Sequence, residues 1–156
     1  MTPRQIELVR ESFAHVEPIA DAAATIFYRR LFDLDPSVRS LFAATDMAGQ
    51  RRNLMQTLTV VVRGLDRLDD LAPAVEALGR RHASYGVRPF DFETVGAALI
   101  DTLEEGLGAG FDAETRRAWT DAYGVLAAVM IGAGAARPDG AAHGRRGEDS
   151  GATVAA

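Results

Sequence analysis

The 156-residue sequence contains neither cysteine nor lysine. Without thiolates the chain cannot form disulfides, use a cysteine nucleophile, or hold an iron–sulfur cluster or a cysteine-ligated zinc ion. Without lysine it cannot form Schiff bases, and its 17 basic residues are all arginine. Because an absence of disulfides fits a reducing compartment, we expect a cytoplasmic protein.

Positive net charge, a signal peptide and long apolar runs are also missing. The net charge of −5 at pH 7 argues against nucleic acid as the main partner, which would require a basic surface. The first residues, MTPRQIE, lack the apolar core of a signal peptide. No stretch approaches the roughly 20 apolar residues of a membrane span, so we expect no membrane partner either.

What the sequence does contain is helical periodicity along almost its whole length. The composition, 47% hydrophobic and 25% charged, suits one soluble globular domain, and no segment alternates as a strand would. Apolar spacing and start and stop signals predict about seven helices, which are a helix from Thr2-Pro3, then 19–34, 36–42, 47–68, 69–85, one capped by Asp91, and a last one that carries Trp119. The fold class is therefore all-α, although periodicity alone does not distinguish one helical packing from another.

The most informative single residue is His82. It continues the helical spacing of Leu71, Val75 and Leu78, so its imidazole should point inward from an apolar face. His15 lies off the apolar stripe of its own helix. Because a lone inward histidine is more often a hydrogen-bonded core residue than a ligand, His82 by itself leaves both interpretations open.

Three more residues stand at inward positions and carry unusual chemistry for a core. Tyr28 lies on the inner face of the second helix, Gln50 lies one turn before Leu54 on the long helix, and Phe42 ends the short helix. Leaving Tyr28 and Gln50 buried without partners would cost roughly 1–3 kcal/mol each, although the two could satisfy each other. With His82, the set combines an aromatic wedge, an imidazole and two hydrogen-bond donors in an apolar surrounding.

Several segments resemble the globin family, in particular bacterial single-domain haemoglobins, the globin domain of flavohaemoglobins and neuroglobin-like bacterial globins. They are FYRRLF at 27–32, DPSVRSLF at 35–42, LGRRHASYGV at 78–87 and WTDAYGV at 119–125. The resemblance covers roughly residues 4–135 and implies a globin fold, with its helices packed around a haem pocket. We therefore expect a globin domain at residues 1–137 and a disordered Gly/Ala-rich tail at residues 138–156.

The resemblance also implies roles for the selected residues. His82 would be the proximal ligand of the iron of haem b, Phe42 would pack on the haem face, and Tyr28 and Gln50 would be distal donors to a bound gas. With no lysine available, the haem propionates should pair with arginines among Arg51, Arg80, Arg81 and Arg88, of which Arg81 is included in the predicted site. The apolar residues expected to keep the pocket dry are Leu54, which would lie over the bound gas, Leu58, Leu78, Val87, Phe92 and Val95.

Two departures from the flavohaemoglobin pattern bear on activity. The tyrosine and glutamate that usually support the proximal histidine there correspond to Phe92 and Gly134 here. A weakly supported imidazole pushes less electron density to iron, which favours holding dioxygen over activating it. Since Gln50 stands at the distal position, a second histidine ligand is not available there, and we expect a ferrous form that is five-coordinate or weakly closed by a non-histidine group.

The leading functional hypothesis is thus a haem-binding globin that reversibly binds dioxygen, and also nitric oxide or carbon monoxide, in oxygen transport. One alternative is a nitric oxide dioxygenase that works with a separate, external reductase. Others are a haem-based gas sensor and a haem-free globin-fold interaction module. The sequence makes no prediction of the oligomeric state.

Overall fold

A computed structural model describes residues 1–135, and within this range the chain is helical with no strand. The prediction of an all-α fold is confirmed, with six α-helices where about seven helices were expected. The short segment Pro36–Phe42 is a 3-10 helix, and the predicted disordered tail lies outside the described residues. The α-helices are α1 (Pro3–Val16), α2 (Ala20–Leu34), α3 (Met47–Arg63), α4 (Leu68–Ser84), α5 (Pro89–Leu107) and α6 (Ala113–Ala135).

Side-chain caps define where the helices begin. At the start of α1, the Thr2 hydroxyl accepts a hydrogen bond from the Gln5 amide at 3.1 Å, and the Gln5 side chain accepts one from the Thr2 amide at 2.9 Å. Asp46 caps α3 by accepting from the Ala48 amide at 3.1 Å. Each such cap satisfies main-chain donors that have no partner inside the helix and contributes about 1 kcal/mol.

Two predicted helix boundaries were wrong. The helix predicted over 47–68 ends at Arg63, and a 3-10 turn at Leu65–Arg67 leads into α4. At this bend Gly64 lies against Leu71, whose side chain would come within 2.6 Å of a Cβ at position 64. A larger residue at position 64 would therefore require the Leu71 side chain to shift.

Asp91 does not cap α5, which begins two residues earlier at Pro89 with Arg88 as its N-cap. Proline is tolerated in a first turn because its missing N–H would have no partner there. Asp91 lies in that first turn and accepts a hydrogen bond from the Arg88 main-chain amide at 2.8 Å. Its carboxylate therefore still accepts a hydrogen bond from a main-chain amide at the start of α5, although Asp91 itself lies inside the helix.

Two glycines allow α4 and α6 to pack at very short range. A Cβ at Gly79 would lie 2.4 Å from the Met130 carbonyl oxygen, and a Cβ at Gly134 would lie 3.0 Å from the Ala83 Cβ. Because Gly79 is less than one turn from His82, α6 directly supports the helix that carries the histidine.

The last helix, α6, is long and apolar enough to cross a membrane by length and composition alone. Core helices of soluble proteins pass the same test. Here α6 packs on α1, α4 and α5, and it buries Ala118, Trp119 and Ala122 in the core. Of its most apolar 18-residue window, however, only 22% is buried inside the fold.

Candidate functional site

A largely apolar cavity, the main cavity, opens between α2, α3, α4, α5 and α6. About 110 Å³ of its space lies far enough from every wall atom to take the centre of a water-sized molecule. The structure brings most of the predicted site residues together in its wall. These are Phe42, Leu54, Leu58, Leu78, His82, Val87, Phe92 and Val95.

His82 is the functional group in this wall, and its side chain is almost fully buried, at 5% exposure. Its Nδ1 lies 2.7 Å from the Leu78 carbonyl oxygen, an acceptor, which assigns the proton to Nδ1 and leaves a lone pair on Nε2. Among residues 1–135 no protein group hydrogen-bonds Nε2. The Nε2 lone pair is thus left without a protein partner among the described residues.

Burial lowers the pKa of His82, and the positive charge of Arg81 lowers it further, while the hydrogen bond to the Leu78 carbonyl acts in the opposite direction. The net shift is downward, so the imidazole is neutral near neutral pH. A neutral imidazole is the form that ligates metals.

A bare metal ion has little to bind it in this cavity. The part of the chain that the structure describes holds no group of three or more histidine, aspartate or glutamate side chains that could surround an ion. A single imidazole facing a large apolar space fits a metal whose other ligands come from an organic group. The main cavity therefore suits a metal macrocycle better than a free ion.

Phe42, in the wall of the main cavity, packs against two further aromatic rings. Phe42 stands edge-on to Tyr28 and to Phe32, with ring centroids 5.5 Å apart in both pairs. On the histidine side, the Phe92 ring lies 5.9 Å from the His82 imidazole. Rings in these contacts are held in place by packing as well as by burial.

Neither position 92 nor position 134 gives His82 a side-chain hydrogen bond. Tyr123 also lines the cavity, but its hydroxyl donates to the Phe92 carbonyl oxygen and not to the imidazole. Gly134 lies against Ala83 at a distance that leaves no room for a larger side chain without movement of the helices. The only hydrogen bond of the imidazole within the described residues is therefore the one to a main-chain carbonyl.

Tyr28 and Gln50 come together, but they are not in the wall of the main cavity. Gln50 donates its side-chain amide to the Tyr28 hydroxyl oxygen at 3.1 Å, and both residues are buried, at 1% and 3% exposure. Burial raises the pKa of Tyr28, against the opposing effect of the Gln50 hydrogen bond. Tyr28 thus keeps its hydroxyl proton, and the wall beside it is formed by Phe27 and Phe42.

The structure places Arg81 away from the main cavity. Because His82 points inward, its neighbour on the helix points outward, and Arg81 is exposed. It lines a separate surface hollow on α4 with Ala74, Ala77, Arg80 and Ser84. Arg81 and Arg80 are therefore poorly placed to contact a group in the main cavity.

The other two candidate arginines are both in ion pairs. Arg51 is 3.1 Å from Asp21, and Arg88 is 3.1 Å from Asp91. Asp91 and Val87, on either side of Arg88 in sequence, both line the main cavity. Arg88 is thus the candidate arginine that lies beside this cavity.

Sequence reasoning missed a number of lining residues. Most continue a helical spacing already recognised, as Val61 follows Leu58 and Leu99 follows Val95. Asp91 gave no such signal, because an acidic residue at a helix start is first interpreted as a cap. The missed residues are Phe27, Leu31, Val38, Leu41, Thr57, Val61, Val75, Asp91, Leu99, Tyr123, Leu126 and Met130.

Comparison with known proteins points to one family. The family model described as Globin matches residues 25–130. Neuroglobin of Tetraodon nigroviridis is 30% identical over 143 residues, which cover 83% of this chain and 90% of that protein. The flavohemoprotein of Vibrio cholerae is 29% identical over 133 residues, or 84% of this chain, and the match spans only 34% of that longer protein.

Solved structures agree with this family. An engineered carbene transferase, made from a candidate nitric oxide dioxygenase of Rhodothermus marinus, superposes with a TM-score of 0.78 at 27% identity, covering 86% of this chain and 94% of the other. A bacterial globin of Campylobacter jejuni has a TM-score of 0.74 at 22% identity, covering 86% and 96%, and at that identity it bears on the fold alone. The predicted globin fold is confirmed.

Proposed function

The chain belongs to the globin family, and on that basis we propose that it binds haem through His82 and reversibly binds dioxygen. One observation carries the proposal. A buried, neutral imidazole lines a large apolar cavity, with Nδ1 held by the Leu78 carbonyl and Nε2 without a protein partner among residues 1–135. Haem b is the form of haem we expect, because with no cysteine in the chain the porphyrin cannot be attached through thioethers.

When bound, the haem supplies an iron centre that takes up diatomic gases. Residues of this chain would hold the haem and shape its surroundings. His82 would ligate the iron through Nε2, Phe42 and Phe92 would pack against the macrocycle, and the apolar wall would exclude water, which slows oxidation of the iron. Arg88, beside the mouth, is the arginine best placed to contact a propionate.

Tyr28 would donate a hydrogen bond from its hydroxyl group to the bound gas. In the structure Gln50 donates to the Tyr28 oxygen, so the Tyr28 proton is not used in that bond. The Tyr28 ring already packs on Phe42, which lines the main cavity. A small movement of the tyrosine would then direct the hydroxyl toward the gas, with Gln50 holding its oxygen.

A second candidate function is nitric oxide dioxygenation with a separate reductase. The similarity to flavohemoproteins and to the Rhodothermus marinus protein favours it. Within residues 1–135 the main-chain carbonyl of Leu78 is the one hydrogen-bond partner of the His82 imidazole, which argues for the slower chemistry of reversible binding. A haem-based sensor would use the same pocket, and oxygen transport and a cytoplasmic location remain predictions.

Absorption spectra of the purified protein test the proposal. We expect a Soret band, a five-coordinate ferrous form, and a distinct spectrum on addition of dioxygen. His82→Ala should lose haem or hold it weakly, whereas the control His15→Ala, at an exposed position on α1, should retain it. Wild-type protein from haem-supplied cells without a Soret band would refute haem binding and favour an interaction module.

Stopped-flow mixing of the oxygenated protein with nitric oxide separates the two haem functions. A dioxygenase needs rapid consumption of nitric oxide followed by rapid re-reduction by a cell extract. We expect the re-reduction to be slow. Fast, repeated turnover would instead support the dioxygenase.

A further inference from the structure

Beside the main cavity, the junction of α4 and α5 carries an ion pair between Arg88 and Asp91. The Arg88 Nη2 atom donates to Asp91 Oδ1 at 3.1 Å, and Arg88 Nε donates to Asp91 Oδ2 at 3.3 Å. These two hydrogen bonds join one edge of the guanidinium to both oxygens of the carboxylate, the arrangement that fixes the orientation of an arginine most firmly. Among residues 1–135 the Arg88 side chain has no other hydrogen-bond or ion-pair partner.

The two members of this pair differ in their freedom to move. The Asp91 side chain is 5% exposed, whereas the Arg88 side chain is 66% exposed. Asp91 Oδ2 also accepts a hydrogen bond from the Arg88 main-chain amide at 2.8 Å, which ties the carboxylate to the start of α5. A long, exposed side chain without a partner samples many rotamers. Asp91 is therefore the fixed member, and it decides where the guanidinium lies.

The bonds to Asp91 leave Arg88 with donors to spare. A guanidinium has five N–H groups, and two of them donate to Asp91. The remaining three, two on Nη1 and one on Nη2, have no protein acceptor within the described residues. Because Asp91 and Val87 line the main cavity, these donors are held beside it and are available to a second anion.

A second carboxylate, that of Asp35, acts on Arg88 without bonding to it. Its negative charge raises the pKa of Arg88, after the larger effects of the hydrogen bond and the charge of Asp91. The Asp35 side chain is used at the start of the 3-10 helix Pro36–Phe42, where it accepts from the Ser37 amide at 3.1 Å. Without Asp91, the guanidinium would be free to move toward Asp35 or into solvent.

We propose that Asp91 is a positioning residue, which holds the Arg88 guanidinium ready for a carboxylate of the bound haem. This inference rests on the proposed haem function. An arginine that is held in advance loses less rotamer freedom when a propionate binds, and binding is stronger by that difference. Asp91 acts on the haem through Arg88.

Charge alone would give Asp91 the opposite effect. A carboxylate near the site of an anionic propionate repels it. If Asp91 acted only through its charge, its replacement by asparagine would slow the loss of haem. If Asp91 positions Arg88, the same replacement speeds the loss. The sign of the change therefore decides between the two roles.

Transfer of haem from the loaded protein to an acceptor apoprotein measures this sign. We expect transfer from Asp91→Asn to be about 2–10-fold faster than from the wild type, the range for one partly exposed hydrogen bond between charged groups. The matched control Asp35→Asn removes a negative charge near Arg88 but keeps a good capping residue, and its rate should not change. In an Arg88→Gln background, Asp91→Asn should cause no further acceleration.

Haem dimethyl ester separates positioning from a general loosening of the fold. Its two esterified propionates carry no charge, so Arg88 has no carboxylate to bind. Asp91→Asn should then release the ester at the wild-type rate. An equal acceleration with haem and with its dimethyl ester would show that the substitution merely loosens the pocket.

NMR of the arginine side chains tests the anchoring of Arg88 in the protein as purified. We expect the Arg88 Nε–H to be protected from exchange with water in the wild type and in Asp35→Asn, and to lose that protection in Asp91→Asn. An unprotected Nε–H in the wild type, or haem transfer from Asp91→Asn that is unchanged or slower, would overturn the proposal. A wild-type protein without a Soret band would refute the haem function and with it the role of Asp91 toward haem, while the NMR signal would still show whether Asp91 holds Arg88.

Discussion

Replacing Gly79 with alanine gives the sharpest test of how α6 supports the histidine helix. A Cβ at this position would lie 2.4 Å from the Met130 carbonyl oxygen and 2.5 Å from its Cα, both main-chain atoms that cannot rotate away. Overpacking of this kind costs about 1–3 kcal/mol, and contact with main chain places it at the upper end. Alanine regains about 1 kcal/mol of helix propensity, so we expect Gly79→Ala to lose about 1–2 kcal/mol of unfolding free energy.

The matched control is Gly124→Ala on α6, where a Cβ would meet nothing within 4 Å. The same propensity gain is then unopposed, and stability should rise by about 0.5–1 kcal/mol. Urea unfolding of the haem-loaded proteins measures both changes. Since Gly79 precedes His82 by less than one turn, Gly79→Ala should also release haem faster. Equal or greater stability of Gly79→Ala would show that α4 and α6 do not make this contact.

Three further predictions concern the site. Tyr28→Phe should speed dioxygen dissociation by about 2–12-fold, the worth of one neutral hydrogen bond of about 0.5–1.5 kcal/mol; an unchanged stopped-flow rate would remove Tyr28 from the distal role. Arg88→Gln should accelerate transfer of haem to an acceptor apoprotein, whereas Arg81→Gln, on the outer face of α4, should not; the reverse order would restore Arg81 to the site. Burial of Asp91 would raise its pKa, but the hydrogen bonds from the Arg88 side chain and main-chain amide, with the Arg88 charge, hold the pKa below its usual value. The Asp91 contribution to stability is therefore complete above the unfolded-state carboxyl pKa of about 3.9 and is lost as the pH falls through the lower folded-state pKa. Asp91→Asn should reduce the loss of unfolding free energy on acidification, and an unchanged acid dependence would contradict the ion pair.

The helices and the inward histidine were predictable from short stretches of sequence. Caps such as Thr2 and Asp46 act within three residues, and the spacing of Leu71, Val75, Leu78 and His82 repeats within a few turns. These interactions are local, so their pattern is visible without knowledge of the fold. The same is true of the motifs that resemble globins, since each lies in one continuous segment.

Contacts between different segments of the chain could not be predicted from the sequence. The long helix was predicted to run to residue 68 because its apolar spacing continues to Leu65, whereas it ends at Arg63, where Gly64 lies against Leu71. Tyr28 and Gln50 were expected in the pocket wall. In the structure they are not among the residues that line the main cavity. They hydrogen-bond each other instead, although they are 22 residues apart in sequence. Arg81 was included in the predicted site because the chain has no lysine to pair with the propionates, but it directly precedes His82, and adjacent residues of a helix point in different directions.

The properties of His82 also fall into those that the sequence predicts and those that only the tertiary structure decides. Its inward direction and its place in a globin-like motif follow from the sequence, because helical period and segment identity are local properties. The packing of α4, α5 and α6 decides the rest. It buries the imidazole, places Nδ1 against the Leu78 carbonyl, leaves the imidazole without a partner from Tyr123 or position 134, and forms the main cavity beside it. Packing depends on side chains that are far apart in sequence, and no local pattern encodes which of them meet.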